Sequence, residues 1–181
     1  MSGKFSLACN SVSDPRIFHS GTYIVLFHAT RIPPHLLVVH EGRSWDLSVK
    51  GNASGVPIET LSAFIERKNV QCLFIEWKTG RNDLSSILNP HFCKYEKIIP
   101  GKTTCLFPIR DVAAELHGAE MKNARYIFEL LPMLHEANVL GDSFALHIPP
   151  DHLTDGAFDL LTYSEEELQA SIAEAKKKYT V

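Results

Sequence analysis

The chain has 181 residues, of which 45% are hydrophobic and 22% charged, and a net charge of -3. These totals exclude collagen-like, low-complexity and disulfide-scaffold classes, and the slight acidic balance argues against a bulk nucleic-acid binder, which needs a basic excess to neutralise phosphates. One hydrophobic core suffices at this length, so residues 1–181 are expected to form a single domain.

The amino terminus, M-S-G-K-F-S-L-A-C-N, lacks the apolar run of a secretion signal, and the longest apolar stretches, Tyr23 to Phe27 and Leu36 to Val39, fall far below the ~20 residues that cross a bilayer. A cytoplasmic protein that does not associate with membranes is the expectation. The cysteines, Cys9, Cys72, Cys93 and Cys105, form no C-x-x-C pair and are expected to be free thiols.

Thr22 to His28, rich in β-branched and aromatic residues, reads as a strand that Arg31-Ile-Pro-Pro34 interrupts. Leu36 to His40, the turn Glu41-Gly42 and Arg43 to Val49 then form a hairpin, with His40 opposite Arg43. This register puts His35, Leu37 and Val39 on one face with Ser44, Asp46 and Ser48, and Leu36 and Val38 on the other with Trp45, Leu47 and Val49. From Pro57 the spacing of Ile58, Leu61, Phe64 and Ile65 predicts a helix ending near Asn69. Cys72 to Trp77 reads as a central strand, Asp83 to Leu88 as a short helical turn and Phe92 to Ile99 as another strand.

Ile109, Val112, Ala113 and Leu116 mark one face of a helix with Pro108 near its start and Gly118 at its end. A helix over Asn123 to Glu136, interrupted by Pro132, a last short strand over Phe144 to Ile148, and a carboxy-terminal helix capped by Ser164 and Glu167 complete the pattern. The expected class is α+β, a mainly antiparallel sheet with helices packed on one face.

The segment P-G-K-T-T-C-L-F-P-I-R-D-V carries Cys105 to the front of a helix, where unpaired N–H groups and the positive dipole end favour a thiolate and can hold an oxyanion. The alternative is that Cys105 packs as a small apolar residue. A nucleophilic cysteine needs a base. His35 lies on the more polar face of the hairpin with Asp46 as a diagonal neighbour able to orient its ring, unless that face is simply solvated.

The order P-H-L-L-V-V-H-E-G-R-S-W-D-L followed by T-T-C-L-F-P-I resembles the circularly permuted, NlpC-like branch of the papain-fold cysteine hydrolases, in pattern over residues 33 to 117. The resemblance implies amide or thioester cleavage of a small-molecule or peptide substrate, with Cys105 as nucleophile, His35 as base, Asp46 as the third polar position and no cofactor. A rival reading is a non-catalytic binding domain on a similar scaffold, with the apolar helix near residues 123 to 136 as its partner surface.

His28, His35 and His40 raise a metal reading, since imidazole is a frequent zinc ligand. His35 and His40 are five apart, which sends them to opposite faces of a regular strand, so no metal site is expected. No phosphate-loop, dinucleotide-binding or serine-hydrolase motif is present in the sequence.

Overall fold

A computed structural model describes residues 5–178. Its frame is a mixed, mostly antiparallel sheet of nine strands: β1 (Ser6–Val12), β2 (Thr22–Phe27), β3 (His35–His40), β4 (Arg43–Leu47), β5 (Asn52–Pro57), β6 (Cys72–Trp77), β7 (Leu140–Leu146), β8 (Leu153–Thr154) and β9 (Ala157–Asp159). Their order is β5-β4-β3-β2-β6-β7-β1-β9-β8, and the pairing of β1 with β7 is parallel. The helices are α1 (Ile58–Lys68), α2 (Ser85–Cys93), α3 (Leu106–His117), α4 (Ile127–Glu136) and α5 (Glu165–Lys178). The α+β class stands.

The hairpin forms as its pattern predicts. His40 pairs with Arg43 and Leu37 with Asp46, and both turn residues have positive φ, 44° at Glu41 and 73° at Gly42, the backbone that a two-residue turn matching strand twist requires. Trp45 and Leu47 are buried on the face shared with Leu36 and Val38, while Asp46 points the other way. β6 is central, between β2 and β7, and α1 ends in a left-handed Asn69. Ser164 and Glu167 exchange both bonds of a capping box at the start of α5.

Several expectations are corrected. Helices cover both faces of the sheet, not one: Leu36, Val38 and Trp45 pack with residues of α2 to α5, whereas Leu37, Val39 and Phe74 pack with Ile58 and Ile65 of α1. The hairpin face that carries His35 and Asp46 is therefore apolar in its middle, because Leu37 and Val39 have a helix to bury against. Phe92 to Ile99 is not a strand. Phe92 and Cys93 end α2, and Ile99 makes only an isolated bridge to Thr103. The cause is a spacing of three, with Phe92, Tyr95 and Ile98 turned inward, and the Asn52 amide donates to the Phe92 and Tyr95 carbonyls.

The strand expected at Phe144 to Ile148 is β7, which starts at Leu140 and is followed by β8 and β9, so it is not the last. The helix expected from Asn123 begins at Ile127, after a 3-10 turn over Ala119–Asn123. Its apolar residues Ile127, Leu130, Leu131 and Leu134 are fully buried in the core, so they form no partner surface. Pro132 lies within α4.

The four cysteines are free thiols. No helix among the described residues is long and apolar enough to cross a membrane.

Candidate functional site

Pro33 and Pro34 carry no N–H for a ladder, so β3 begins at the next residue and places His35 at its first position, opposite Phe27 at the end of β2. One strand further, β4 carries Asp46 opposite Leu37. The side chains meet across this diagonal: His35 Nε2 lies 2.5 Å from Asp46 Oδ1, the two groups being 29% and 31% exposed. A carboxylate only accepts, so Nε2–H donates to it and Nδ1 is the ring nitrogen left for another partner.

The Cys105 side chain is close enough to the His35 ring to contribute to the shift of its pKa. The structure thus brings together the three residues singled out in the sequence. Burial disfavours the charged ring, but the Asp46 carboxylate and its hydrogen bond, with a further contribution from Cys105, outweigh it and hold His35 well above the ordinary imidazole value.

Cys105 stands immediately before α3. Leu106 N–H donates to Thr104 Oγ1 at 3.3 Å, Phe107 N–H donates to the Thr104 carbonyl at 3.2 Å, and Pro108 has no N–H. These bonds occupy the second and third amides of the turn. Helix α3 is fixed below by buried Leu106, Ile109 and Val112. Buried Asp111 further ties α3 to the end of α2 by accepting from Lys94 Nζ at 2.9 Å and Tyr95 Oη at 2.7 Å. Burial pushes that carboxyl up, but the two donors more than reverse this and leave it below its usual value.

Sequence reasoning missed Tyr163 and Thr104, and it weighed His28 only as a metal ligand. The Tyr163 phenol is pushed up by burial first and by Cys105 second, which puts it in the electrostatic neighbourhood of the thiol. His28 follows β2 with a left-handed backbone, φ 56°, and burial, Arg31 and His35 together lower its pKa. A threonine shortly before an apolar helical face is a capping signal that could have been read; Tyr163 carries none.

His40 is a structural residue. Its Nδ1 lies 2.7 Å from Thr22 Oγ1. Among the described residues no group of three histidine, cysteine or acidic side chains is arranged to hold a metal ion. Two open surface clefts lie away from the Cys105 cluster, one lined by Asp14, Arg16, Ser62 and Glu66, the other by Thr22, His40, Glu41 and Arg81.

Asp46→Asn is expected to move the His35 titration down toward the ordinary imidazole range, because the neighbouring negative charge is lost while the shape is kept. Histidine ring resonances followed by NMR against pH check this. The sign of the linkage also follows. A raised folded pKa means that the pair contributes stability below about pH 6.5, and that this contribution is lost as pH rises through the folded value.

Comparison of the chain with protein-family models, with curated proteins and with solved structures finds no match.

Proposed function

We propose that this protein is a cysteine hydrolase of the papain-like class, cleaving an amide or related acyl bond of a small-molecule or peptide substrate. The observation that carries the reading is the His35–Asp46 pair, with Nε2 held 2.5 Å from the carboxylate, in the neighbourhood of a thiol at the start of a helix. The order of these residues, a strand-borne histidine ahead of a helix-borne cysteine, supports the permuted NlpC-like arrangement in particular.

The chemistry runs in two halves. His35 Nδ1 takes the Cys105 proton, and the sulfur attacks the substrate carbonyl carbon, forming a C–S bond while the carbonyl electrons move to oxygen. Collapse breaks the C–N bond, and the leaving amine takes the proton from His35. A water molecule then gives a proton to His35 and attacks the thioester, releasing the acid as the proton returns to the sulfur. Asp46 holds the ring in one orientation and stabilises the imidazolium formed in each half. The step needs no cofactor.

An acyl-enzyme should accumulate when the protein is mixed with an activated acyl donor such as p-nitrophenyl acetate, because thioester formation precedes its hydrolysis. Intact-mass analysis should show one acetyl group, and peptide mapping should place it on Cys105. Acetylation scattered over lysines, or none on Cys105, would favour a non-catalytic binding domain instead.

A further inference from the structure

Resting on the hydrolase reading, we infer that Thr103 is a positioning residue for Cys105, its hydroxyl closing the loop that sets the sulfur toward His35. The loop runs from Lys97 to Thr103, between α2 and α3. Near its start it is tied to the chain that bears Asp46: Ile98 N–H donates at 2.9 Å to the carbonyl of Ser48, two residues past Asp46, and the Ile98 side chain is buried in the main core. At its far end only Thr104 separates Thr103 from Cys105. Thr104 is itself buried and fixed to α3, since its side chain and carbonyl accept from the Leu106 and Phe107 amides.

One hydroxyl joins the two ends of the loop. Thr103 Oγ1 donates to the Lys97 carbonyl at 2.8 Å and accepts from Ile99 N–H at 2.7 Å, which uses its single proton and one lone pair. The backbone closes the loop at a single acceptor, the Ile99 carbonyl, shared by the N–H groups of Lys102 and Thr103 at 3.0 and 2.9 Å, so the hydroxyl is what fixes Lys97, the neighbour of the Ile98 anchor. A second fastener comes from α5, where Gln169 Oε1 accepts from Gly101 N–H at 2.7 Å and Gln169 Nε2 donates to Glu165 Oε1 at 2.7 Å. The bonds of the Thr103 hydroxyl lie at the surface, where water replaces a lost partner at little cost, so they contribute to geometry more than to folding stability.

The test is a double-mutant cycle on the alkylation of Cys105 by iodoacetamide near neutral pH, read by peptide mapping, with His35→Ala and Thr103→Val as its two arms. Valine keeps the branched shape and deletes both hydroxyl bonds. With Thr103 in place, His35→Ala should slow labelling about tenfold; in the Thr103→Val chain, which should itself label more slowly, the same change should slow it by less than about twofold. Thr103→Ser keeps the hydroxyl and should restore the full dependence on His35. The urea midpoint of Thr103→Val should stay close to that of the unaltered protein, whereas a hydroxyl with a merely structural part would lower the midpoint and leave the His35 dependence intact. Should Thr103→Val not fold, Gln169→Leu frees the same loop from the α5 side and should reduce the dependence in the same direction. Full His35 dependence in the Thr103→Val chain, or in Gln169→Leu where that variant stands in, overturns the positioning role and leaves the dyad, as does a serine that restores nothing. Failure of the hydrolase reading looks different: labelling would then be indifferent to His35 even with Thr103 in place, and the positioning role would fall with it.

Discussion

Under the proposed hydrolase reading, Cys105→Ala is expected to abolish hydrolysis of an amide or thioester substrate, and His35→Ala to lower kcat by about 10²- to 10⁴-fold, the range over which a positioned general acid–base group contributes. Both effects follow from one geometry. Without the sulfur there is no atom to form the acyl intermediate, and without the ring no group collects the thiol proton or returns it to the leaving amine. Because Asp46 acts through the ring, Asp46→Asn should keep the fold and cost less than His35→Ala. Steady-state kinetics at saturating substrate, with circular dichroism to confirm folding, measures all three variants. Activity retained in His35→Ala would show that proton transfer is handled elsewhere.

Trp45→Ala is expected to cost about 3–5 kcal/mol of folding stability, the usual result of deleting a large buried aromatic side chain. Trp45 is 1% exposed, lies in the main core with Leu36, Val38 and Leu47, and donates from Nε1 to Asn89 Oδ1 at 2.8 Å. The substitution therefore opens a cavity and also leaves the Asn89 side chain without its donor. It further loosens β4 at the residue before Asp46, so activity should fall with stability. Urea unfolding monitored by far-ultraviolet circular dichroism reads the change as a lowered midpoint with an unchanged slope. Trp45→Phe should recover much of the apolar packing but not the bond to Asn89.

Much of this frame was legible because local signals and tertiary packing agreed. The Glu41-Gly42 turn and the alternation W-D-L-S-V set the hairpin register, and with it the diagonal from His35 to Asp46. The apolar spacing from Ile58 to Ile65 and the proline and glycine at the ends of the Ile109 pattern gave α1 and α3 nearly to the residue. What failed depended on partners distant in sequence. Leu37 and Val39 share a face with His35, and only the packing of α1 on that face shows it to be buried. The stretch after Phe92 contains strand-forming residues, but its period of three and the Asn52 amide hold it in turns. Strand β1, S-L-A-C-N-S-V, mixes small and polar residues without a clear alternation, and it owes its place to β7 and β9 on either side. The approach of Cys105 to His35 likewise depends on where tertiary packing puts the start of α3, and neither residue's local sequence encodes it.

The central claim is that Cys105 works with His35, and the relative alkylation rates of two cysteines test it most directly. Cys72 is fully buried in β6, its thiol pushed up to about 12 by burial, so it serves as an internal reference for an inert thiol. Treatment of the folded protein with iodoacetamide near neutral pH, followed by peptide mapping, should label Cys105 far ahead of Cys72, and His35→Ala should slow labelling of Cys105 while the domain stays folded. A Cys105 that is inert in the folded protein, or that reacts equally fast without His35, contradicts the dyad.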